Sequence, residues 1–343
     1  MPETPTHMRN EILEIPAAAA RLIEASDGAL ALAGRQLRDL SPKVIATVAR
    51  GSSDHAASFL KYATELTTGV PVASLGPSIA SIYRAKLKLE GAACLTISQS
   101  GKSPDIVAMA EAAKSGGALT IALTNTAGSP LANASDHAID ILAGVEKSVA
   151  ATKSFVNSAV AGLLLLAHWT GDTTLLAALR GLPEHLRKAI DCDWMGIADA
   201  LTGETSLFIL GRGPSAAIAN EAALKFKETC GMHAEAYSAA EVMHGPMALV
   251  GPGFPVVALA ARDASEPATA EAADLLAGKG ASVFVTSAQA RKASVLPFAP
   301  TGHPITDPLP LVVSFYAFVE AFARKLGLDP DQPRNLRKVT ETV

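Results

Sequence analysis

The sequence predicts an α/β protein of two doubly wound parts, each with a parallel sheet flanked by helices. Three observations predict this class. Short apolar runs with the length of buried strands alternate with helical patterns, as in a parallel sheet covered on both faces. The length of 343 residues exceeds one ordinary domain and fits about two. The pattern of the first half also restarts in the second half.

The first half is predicted to be a helix followed by alternating strands and helices. A helix is predicted over 12–24, and a short buried strand over 43–49 leads into the turn Gly51-Ser52-Ser53. The next helix is predicted over 54–66. The remaining strands of this half are predicted over 70–74, 92–98, 119–124 and 137–142, with helical patterns between most of them.

The second half repeats the first at a constant offset. A helical stretch over 152–200, with breaks expected at Gly171 and Gly181, precedes a strand over 206–211. Adding 162 to four positions of the first half gives the same residue type; the pairs are Arg50 and Arg212, Gly51 and Gly213, Gly69 and Gly231, and Gly91 and Gly253. This agreement indicates a duplication of domain size, although glycines also recur wherever turns require them.

These features divide the chain into five predicted segments. The two sheets belong to the two longest segments. The predicted segments are a helical N-terminal part over 1–30, a first domain over 31–171, a helical linker over 172–200, a second domain over 201–330 and a tail over 331–343.

The composition describes a folded chain without an excess of positive charge. It is 49% hydrophobic, 18% charged and 5% aromatic, which is rich in small aliphatic residues and argues against disorder. Basic residues number 29 and acidic residues 33, so the net charge is −4. Nucleic acid is therefore not expected as a main partner.

Cysteine usage and hydropathy indicate a cytoplasmic location. Cys94, Cys192 and Cys230 are too few and too widely spaced for a disulfide framework or a zinc site of paired thiolates. The histidines show no ligand spacing either, so we expect no metal and no cofactor. The apolar run over 159–169 has eleven residues, whereas a membrane helix needs about 20, and the N-terminus lacks a signal pattern. No membrane partner is expected.

A hydroxyl-rich loop follows the strand predicted over 92–98. Its polar side chains are Ser98, Gln99, Ser100 and Ser103, and Ser103 with Pro104 is a typical helix start. Hydroxyls beside the free N–H groups of a helix N-terminus suit a phosphate monoester. An ordinary turn in which the serines only cap the helix fits this loop equally well.

A second turn favours the phosphate interpretation. Ser53 also follows a predicted strand, and ligands of open α/β sheets bind beyond the carboxyl ends of strands. The corresponding second-half positions to Ser98-Gln99-Ser100 are Ala260-Ala261-Arg262. Only the first half therefore keeps the hydroxyls.

Three groups of residues are candidates for acid, base or amine chemistry. Glu221, Lys225 and Glu228 form one polar stripe on a helix predicted over 215–229, with a solvated face of salt bridges as the alternative. His244 precedes Gly-Pro in a predicted turn, where a histidine is commonly structural.

The tail supplies the third candidate. A lysine in a tail, such as Lys338, can enter a pocket, lose its hydration and form a Schiff base with a ketone. A frayed tail without a role is the alternative.

On these residues the chain resembles the tandem sugar-isomerase (SIS) half of glucosamine-6-phosphate synthases, and the stand-alone amino-sugar-phosphate deaminases and isomerases of the same family. The resemblance runs from about residue 10 to the end and implies two flavodoxin-like SIS subdomains. The motifs that carry it are SQSGKS over 98–103, VAATKSF over 149–155, ALKFKE over 223–228, HAEAY over 233–237, HGPMALV over 244–250 and DQPRNLRKVT over 331–340.

The resemblance implies a role for each candidate. The residues implied to bind the sugar phosphate are Ser53, Ser98, Gln99, Ser100, Ser103 and the backbone near Val149. Glu228 would move a proton between C1 and C2 with Lys225 beside it. His244 would open the sugar ring from a neighbouring subunit, which implies a homodimer. Lys338 would form a Schiff base with the C2 ketone of fructose 6-phosphate.

The function expected from this resemblance is deamination of glucosamine 6-phosphate to fructose 6-phosphate and ammonia, with hexosamine or ketohexose 6-phosphates as ligands. No cysteine precedes Cys94, so we expect no glutaminase domain. Lys102 and Arg337 place basic groups where the synthases commonly have acidic and small residues, which leaves the substrate open. The alternatives are the aminating direction with free or separately supplied ammonia, another amino-sugar or fructosamine phosphate, and a non-catalytic phosphosugar sensor.

Overall fold

A computed structural model describes residues 5–336 and residue 338 of the chain, and these residues form two compact units. The first-sheet unit contains residues 17–146 and 153–180. The second-sheet unit contains residues 5–16, 147–152, 181–336 and 338. The short segments 5–16 and 147–152 thus belong to the unit of the second half, which the sequential division of the chain did not anticipate.

The first-sheet unit contains a five-stranded parallel sheet with the strand order β2-β1-β3-β4-β5. The strands are β1 (Ile45–Val48), β2 (Val72–Ser74), β3 (Ala93–Ile97), β4 (Leu119–Thr124) and β5 (His137–Asp140). Every strand predicted for the first half is confirmed, with several ends shorter by one or two residues. Parallel register aligns Thr47 with Leu95 and Leu95 with Ile121. The carboxyl ends of these strands therefore share one edge.

Helices follow most strands of this unit and lead into the second half. They are α1 (His7–Ala25), α2 (Asp27–Leu40), α3 (Ser52–Thr68), α4 (Ser78–Ser81), α5 (Pro104–Ser115), α6 (Pro130–Ala134), α7 (Lys153–Thr170) and α8 (Thr173–Ile190). Nearly all of α7 is buried, and a Cβ at Gly162 would lie 2.2 Å from Leu60 Cδ1. The apolar run over 159–169 is therefore a core helix. Over residues 5–336 no helix combines the length and the apolar character that a membrane crossing requires.

The break expected at Gly171 is confirmed, and the break expected at Gly181 is wrong. Gly171 has φ +72° between α7 and α8. The helix α8 continues through Gly181 and through Pro183. Its buried face explains this continuity, since burial of several leucines outweighs the local cost of a glycine and a proline. The fully buried residues of this face are Leu175, Leu179, Leu182, Leu186 and Ala189.

The second-sheet unit contains a parallel sheet with the order β10-β9-β8-β6-β7. Its strands are β6 (Ser206–Gly211), β7 (His233–Ser238), β8 (Pro255–Leu259), β9 (Ser282–Val285) and β10 (Ser294–Val295). Its helices are α9 (Ala198–Leu201), α10 (Pro214–Lys225), α11 (Glu266–Ala277) and α12 (Pro308–Lys325), with 3₁₀ turns at Met195–Ile197, Glu241–His244 and Pro246–Leu249 and a π-helical turn at Phe226–Cys230. The predicted α/β class with two parallel sheets is confirmed.

The two sheets have the same topology, which supports the duplication read from the sequence. The second sheet, read from its other edge, has the order β7-β6-β8-β9-β10, which corresponds strand by strand to β2-β1-β3-β4-β5 of the first sheet. Gly51 (φ 55°, ψ −134°) and Gly213 (φ 59°, ψ −137°) precede equivalent helices. Gly69 and Gly231 end the corresponding helical segments with φ 70° and 62°. Positive φ favours glycine, so these repeated glycines mark repeated turns.

We expect Gly51→Ala to lower the free energy of unfolding by about 1–3 kcal/mol, because alanine is strained at this backbone conformation. No atom lies within 4 Å of the position of a Cβ at residue 51, so the loss comes from the backbone alone. Urea unfolding measures the change.

The matched control is Gly28→Ala in the first turn of α2, where a Cβ also meets no atom within 4 Å and φ is not positive. There the substitution raises stability by up to about 1 kcal/mol. Equal effects of the two substitutions would contradict this interpretation.

Candidate active site

The hydroxyl-rich loop of the first-sheet unit connects β3 to α5. Ser98 N donates to Leu123 O at 3.1 Å, and Ser98 Oγ accepts from Gly101 N at 3.2 Å. Gly101 has φ +61°, and a Cβ there would lie 2.2 Å from Ser129 Oγ. The loop is therefore fixed at both ends, by the sheet and by the tight packing at Gly101.

The start of α5 leaves its first hydroxyl available. Ser103 precedes Pro104 at the N-terminus of this helix, as predicted, but the Ser103 side chain makes no capping hydrogen bond within the described residues. The alternative interpretation, in which the serines only cap the helix, would require such a bond at Ser103, so it does not hold for this residue. Pro104 has no N–H, Ile106 N donates to Asp105 Oδ1 at 2.9 Å, and Val107 N donates to Ser103 O at 3.1 Å. The features that suit an anion here are therefore the Ser103 hydroxyl and the positive end of the helix dipole.

An ion pair between a half-exposed arginine and a buried aspartate joins this helix to the turn after β1. The Arg50 guanidinium donates to Asp105 Oδ2 from Nη2 at 3.0 Å and from Nε at 3.2 Å. Asp105 is fully buried in the first turn of α5. A lone carboxylate there would repel an incoming phosphate, so pairing with Arg50 removes an electrostatic obstacle. The repeat singled out Arg50, but its partner has no signal in the sequence.

Ser53 lies in the first turn of α3, because this helix begins at Ser52 rather than at the predicted residue 54. Since β1 and β3 are neighbours, Ser53 and the Ser98 loop follow adjacent strands at the same edge. Next to Ser53, burial raises the pKa of Asp54 despite the opposing charges of His55 and Arg50. A cleft of about 440 Å³ opens beside Gln99 in this unit. Its other lining residues are Arg21, Asn125, Thr126, Asp140, Leu142, Gly144, Val145 and Glu146.

In the second-sheet unit, the polar stripe of α10 is buried rather than solvated. Lys225 Nζ lies 2.5 Å from Glu228 Oε2 and 3.2 Å from Glu221 Oε1. The side chains of Lys225 and Glu221 are fully buried, whereas 17% of the Glu228 side chain is exposed. Tyr316 donates its hydroxyl to Glu221 Oε1 at 2.9 Å. The alternative of a solvated salt-bridged face is therefore wrong.

Charge pairing controls the protonation state of this cluster. Burial alone lowers the pKa of Lys225, but the carboxylates of Glu221 and Glu228 outweigh burial and raise this pKa above its ordinary value. Lys225 is therefore an ammonium ion at neutral pH. Glu228, the partly exposed carboxylate of the cluster, therefore lies next to a fixed positive charge.

The helix that carries Glu228 changes its form at Lys225. The sequence predicts one helix to residue 229, but α10 ends at Lys225 and a π-helical turn covers Phe226–Cys230. The Phe226 ring lies 5.3 Å from the Phe315 ring and 6.2 Å from the Phe318 ring on α12. This aromatic packing holds the widened turn in place, and π-helical turns are frequent at functional sites.

The exposed part of Glu228 faces a cleft of about 480 Å³ within the second-sheet unit. Cys230 also lines it, and burial raises the pKa of Cys230 to about 11, so its thiol is protonated at neutral pH. The other lining residues are Lys227, Thr229, Gly231, Gly327, Leu328, Asp329, Gln332, Pro333, Arg334 and Asn335. The turn that carries Glu228 and the start of the C-terminal tail thus share one cleft.

The tail lysine contacts the segment that contains Val149. Lys338 Nζ donates to Ser148 O at 2.6 Å, directly before Val149 in the chain. His244 lies on the 3₁₀ turn Glu241–His244 and is exposed. Its ring makes no hydrogen bond within the described part of the chain. Arg337 and the end of the predicted tail, 339–343, lie outside the described residues.

The first-sheet unit thus brings together Ser53, Ser98, Gln99, Ser100 and Ser103, and the second-sheet unit contains Lys225, Glu228, His244, Lys338 and Val149. The family model of the SIS domain matches residues 40–168 and 200–296, which together are more than half of the chain. The chain belongs to the SIS-domain family.

This SIS-domain protein is 33% identical to the glutamine–fructose-6-phosphate aminotransferase (isomerizing) of Symbiobacterium thermophilum over 98% of its own length. The match covers 57% of that relative, so the chain spans little more than half the length of the enzyme that it matches. The resemblance read from the motifs to the isomerase half of such enzymes is confirmed.

Solved structures show the same fold over nearly the whole chain. A crystal structure from Silicibacter pomeroyi DSS-3, provisionally named a phosphosugar isomerase, is 57% identical with a TM-score of 0.93, covering 95% of this chain and 100% of that one. Glucosamine-6-phosphate deaminase from Thermotoga maritima has a TM-score of 0.77 at 20% identity, covering 98% of this chain and 100% of that one. At that identity the second likeness is one of fold.

Removing the buried ammonium of this SIS-domain protein should be strongly destabilising. We expect Lys225→Met to lower the free energy of unfolding by about 3–5 kcal/mol at neutral pH, since it leaves buried carboxylate charge unpaired. The native pairing is fully present below the unfolded lysine pKa of about 10.4 and is lost as the pH rises through the raised folded pKa.

Acid should reduce the loss of stability in Lys225→Met, because the buried carboxyl of Glu221, no longer compensated by the ammonium, then binds a proton in the folded state. Urea unfolding at pH 7.5 and pH 5 measures both values. Lys227→Met, at an exposed position two residues away, is the control. A deficit that is equal at both pH values, or equal in the two variants, would contradict this assignment.

Proposed function

We propose that this SIS-domain protein converts glucosamine 6-phosphate and water to fructose 6-phosphate and ammonia. The observation that carries the proposal is the cluster of Lys225, Glu221 and Glu228. It holds one carboxylate at the wall of a cleft against a fully buried ammonium. A module that only binds a phosphosugar needs no such carboxylate, whereas an aldose–ketose isomerase needs a positioned acid–base group.

Substrate binding is assigned to the loop between β3 and α5. The phosphate accepts hydrogen bonds from the hydroxyls of Ser98, Ser100 and Ser103 and lies at the positive N-terminal end of α5. Gln99, Ser53 and the backbone near Val149 bind the remainder of the sugar. Because the phosphate lies at the far end of the substrate from C1 and C2, its binding energy orients the reacting carbons without participating in the chemistry.

Proton transfer is assigned to Glu228. After His244 of a neighbouring subunit has opened the ring, Glu228 removes the proton from C2 and returns it to C1. The electron pair of the C2–H bond forms the C1=C2 double bond of an enolamine, and the C1 carbonyl oxygen takes up a proton. When C1 receives the proton from Glu228, the amine nitrogen loses one proton and C2 becomes an imine. The Lys225 ammonium holds the Glu228 carboxylate in position and stabilises negative charge that develops beside it.

Release of ammonia is assigned to Lys338. Its neutral amine adds to the C2 imine and displaces ammonia, which leaves a Schiff base between Lys338 and C2. Water then adds to this Schiff base, releasing the C2 ketone of fructose 6-phosphate and restoring the amine. Atoms balance, since one water enters and one ammonia leaves.

The aminating direction is a second candidate, and the aminotransferase relative from Symbiobacterium favours it. The same residues would then form glucosamine 6-phosphate from fructose 6-phosphate and free or separately supplied ammonia. Assays started from each side distinguish the two directions. Activity only on another amino-sugar or fructosamine phosphate, or binding without turnover, would instead support the remaining alternatives.

We expect the purified protein to release ammonia and fructose 6-phosphate in equal amounts from glucosamine 6-phosphate. Glu228→Gln should lower kcat by about 10²–10⁴-fold, because the amide cannot accept the C2 proton. It should leave phosphosugar affinity nearly unchanged. Coupled ammonia and fructose 6-phosphate assays, with calorimetry for binding, measure these values.

Glu204→Gln, at an exposed position before β6, is the matched control and should retain full activity. A Glu228→Gln enzyme as active as this control would refute the assignment of the base. Release of no ammonia by the native protein would refute the deaminase proposal.

Ser100→Ala should act on binding rather than on turnover. Loss of one hydrogen bond to a charged group costs about 1.5–3 kcal/mol, so we expect the KM and the Kd of the phosphosugar to rise by about ten- to a hundredfold. Ser115→Ala, at the exposed opposite end of α5, is the control. An unchanged Kd in Ser100→Ala would place the phosphate elsewhere.

A further inference from the structure

The amine of Lys338 has a defined partner in the second-sheet unit. Its Nζ donates to Ser148 O at 2.6 Å, although 190 positions of the chain separate the two residues. Ser148 is fully buried. The position of the amine therefore depends on what fixes the buried segment around Ser148 and on what fixes the tail.

The segment around Ser148 is fixed by a carboxylate of α1. Glu11 is only 4% exposed, and its two oxygens accept from Ser148 N at 3.3 Å each. Glu11 Oε1 also accepts from Lys147 N. Hydrogen bonds from backbone N–H groups to a buried carboxylate are among the stronger ones in proteins. Glu11 thus holds Ser148 in place, and the carbonyl oxygen of Ser148 accepts the hydrogen bond from Lys338.

The tail is fixed by the first turn of the same helix. Asp331 accepts from His7 N at 2.6 Å through Oδ2 and from Met8 N at 2.8 Å through Oδ1. Both N–H groups are at the N-terminus of α1, where a negative charge is favoured. Thr6, just before the helix, donates to Glu320 of α12 at 2.8 Å.

These two attachments lie close together on α1. Met8 and Glu11 are three residues apart on the helix, which is roughly 4.5 Å along its axis. Seven residues lead from Asp331 to Lys338, a length of chain that can span up to about 25 Å. Without the attachment at Asp331, the amine would sample a much larger volume.

We propose that the first two turns of α1 are a clamp that positions the Lys338 amine, with Asp331 fixing the tail and Glu11 fixing the acceptor segment at Ser148. Glu11 and Asp331 are positioning residues, since they act through the backbone and touch no reacting atom. The catalytic consequence rests on the proposed function of Lys338. The structural consequence, confinement of the amine, does not.

Amine acylation tests confinement without any substrate. The native protein, Glu11→Gln and Asp331→Asn are treated with acetic anhydride, and acetylation of each lysine is followed by peptide mass spectrometry. We expect Lys338 to be acetylated about two- to tenfold faster in both variants, the change that corresponds to loss of one ordinary hydrogen bond. Exposed Lys279 serves as an internal reference.

Glu24→Gln, at an exposed position on the same helix, is the matched control and should label like the native protein. An unchanged rate at Lys338 in both Glu11→Gln and Asp331→Asn would overturn the clamp. Asp331→Asn, in the less buried attachment, still decides the question if Glu11→Gln does not fold.

Steady-state kinetics then test the catalytic consequence. Both variants should lower kcat and leave KM within about twofold, because the phosphate loop is unchanged. In a Lys338→Ala background the same substitutions should cause no further loss of kcat, since positioning residues act only through the amine. Additive losses would show a general structural role and overturn the positioning role.

The two proposals fail separately. If the native protein releases no ammonia, the deaminase proposal fails and the acylation result still decides the clamp. If ammonia is released and acylation of Lys338 does not change in the variants, the clamp fails alone.

Discussion

The buried ammonium of Lys225 is the interaction on which the candidate active site depends. A cation without contact to water is tolerated only when opposite charge compensates its lost hydration, and here two carboxylates do so. This requirement fixes Glu221 inside the protein and draws Glu228 toward the same point. The π-helical turn at Phe226–Cys230 supplies the backbone that allows it, and the aromatic contacts of Phe226 keep that turn in place. A single buried charge thereby determines where the partly exposed carboxylate lies.

Duplication explains why the chain has two sheets of the same topology whose loops differ in chemistry. Both sheets have the same strand order and the same glycine turns, but the loops after β3 and β8 have diverged. After β3 the loop presents hydroxyls. After β8 the guanidinium of Arg262 contacts Glu266 at 2.8 Å and Thr286 O at 2.9 Å, and it lies 4.9 Å from the Phe298 ring centre. At the position equivalent to Ser100 the second copy has this arginine, so the hydroxyl-rich loop is a property of the first copy alone.

The two ends of the described chain meet in the second-sheet unit. The first turns of α1 accept the start of the tail at Asp331 and hold the segment of Ser148 through Glu11. Both attachments use charged oxygens on backbone N–H groups, so they are directional as well as strong. An N-terminal helix is thereby coupled to the residue that presents an amine from the opposite end of the chain, although no local feature of the sequence at Glu11 indicates such a role.

The sequence by itself determined the α/β class, the strands of the first half, the duplication and the family, because period, turn glycines and contiguous motifs are local properties. It also located the hydroxyl loop and the stripe that contains Lys225. Tertiary structure decided that α8 continues through Gly181 and that the stripe is buried. It also determined the pairing of Arg50 with Asp105 and of Glu11 with the segment at Ser148. The reason is that burial and charge pairing depend on groups far apart in the chain, whose proximity is set by packing and not by the identity of sequence neighbours.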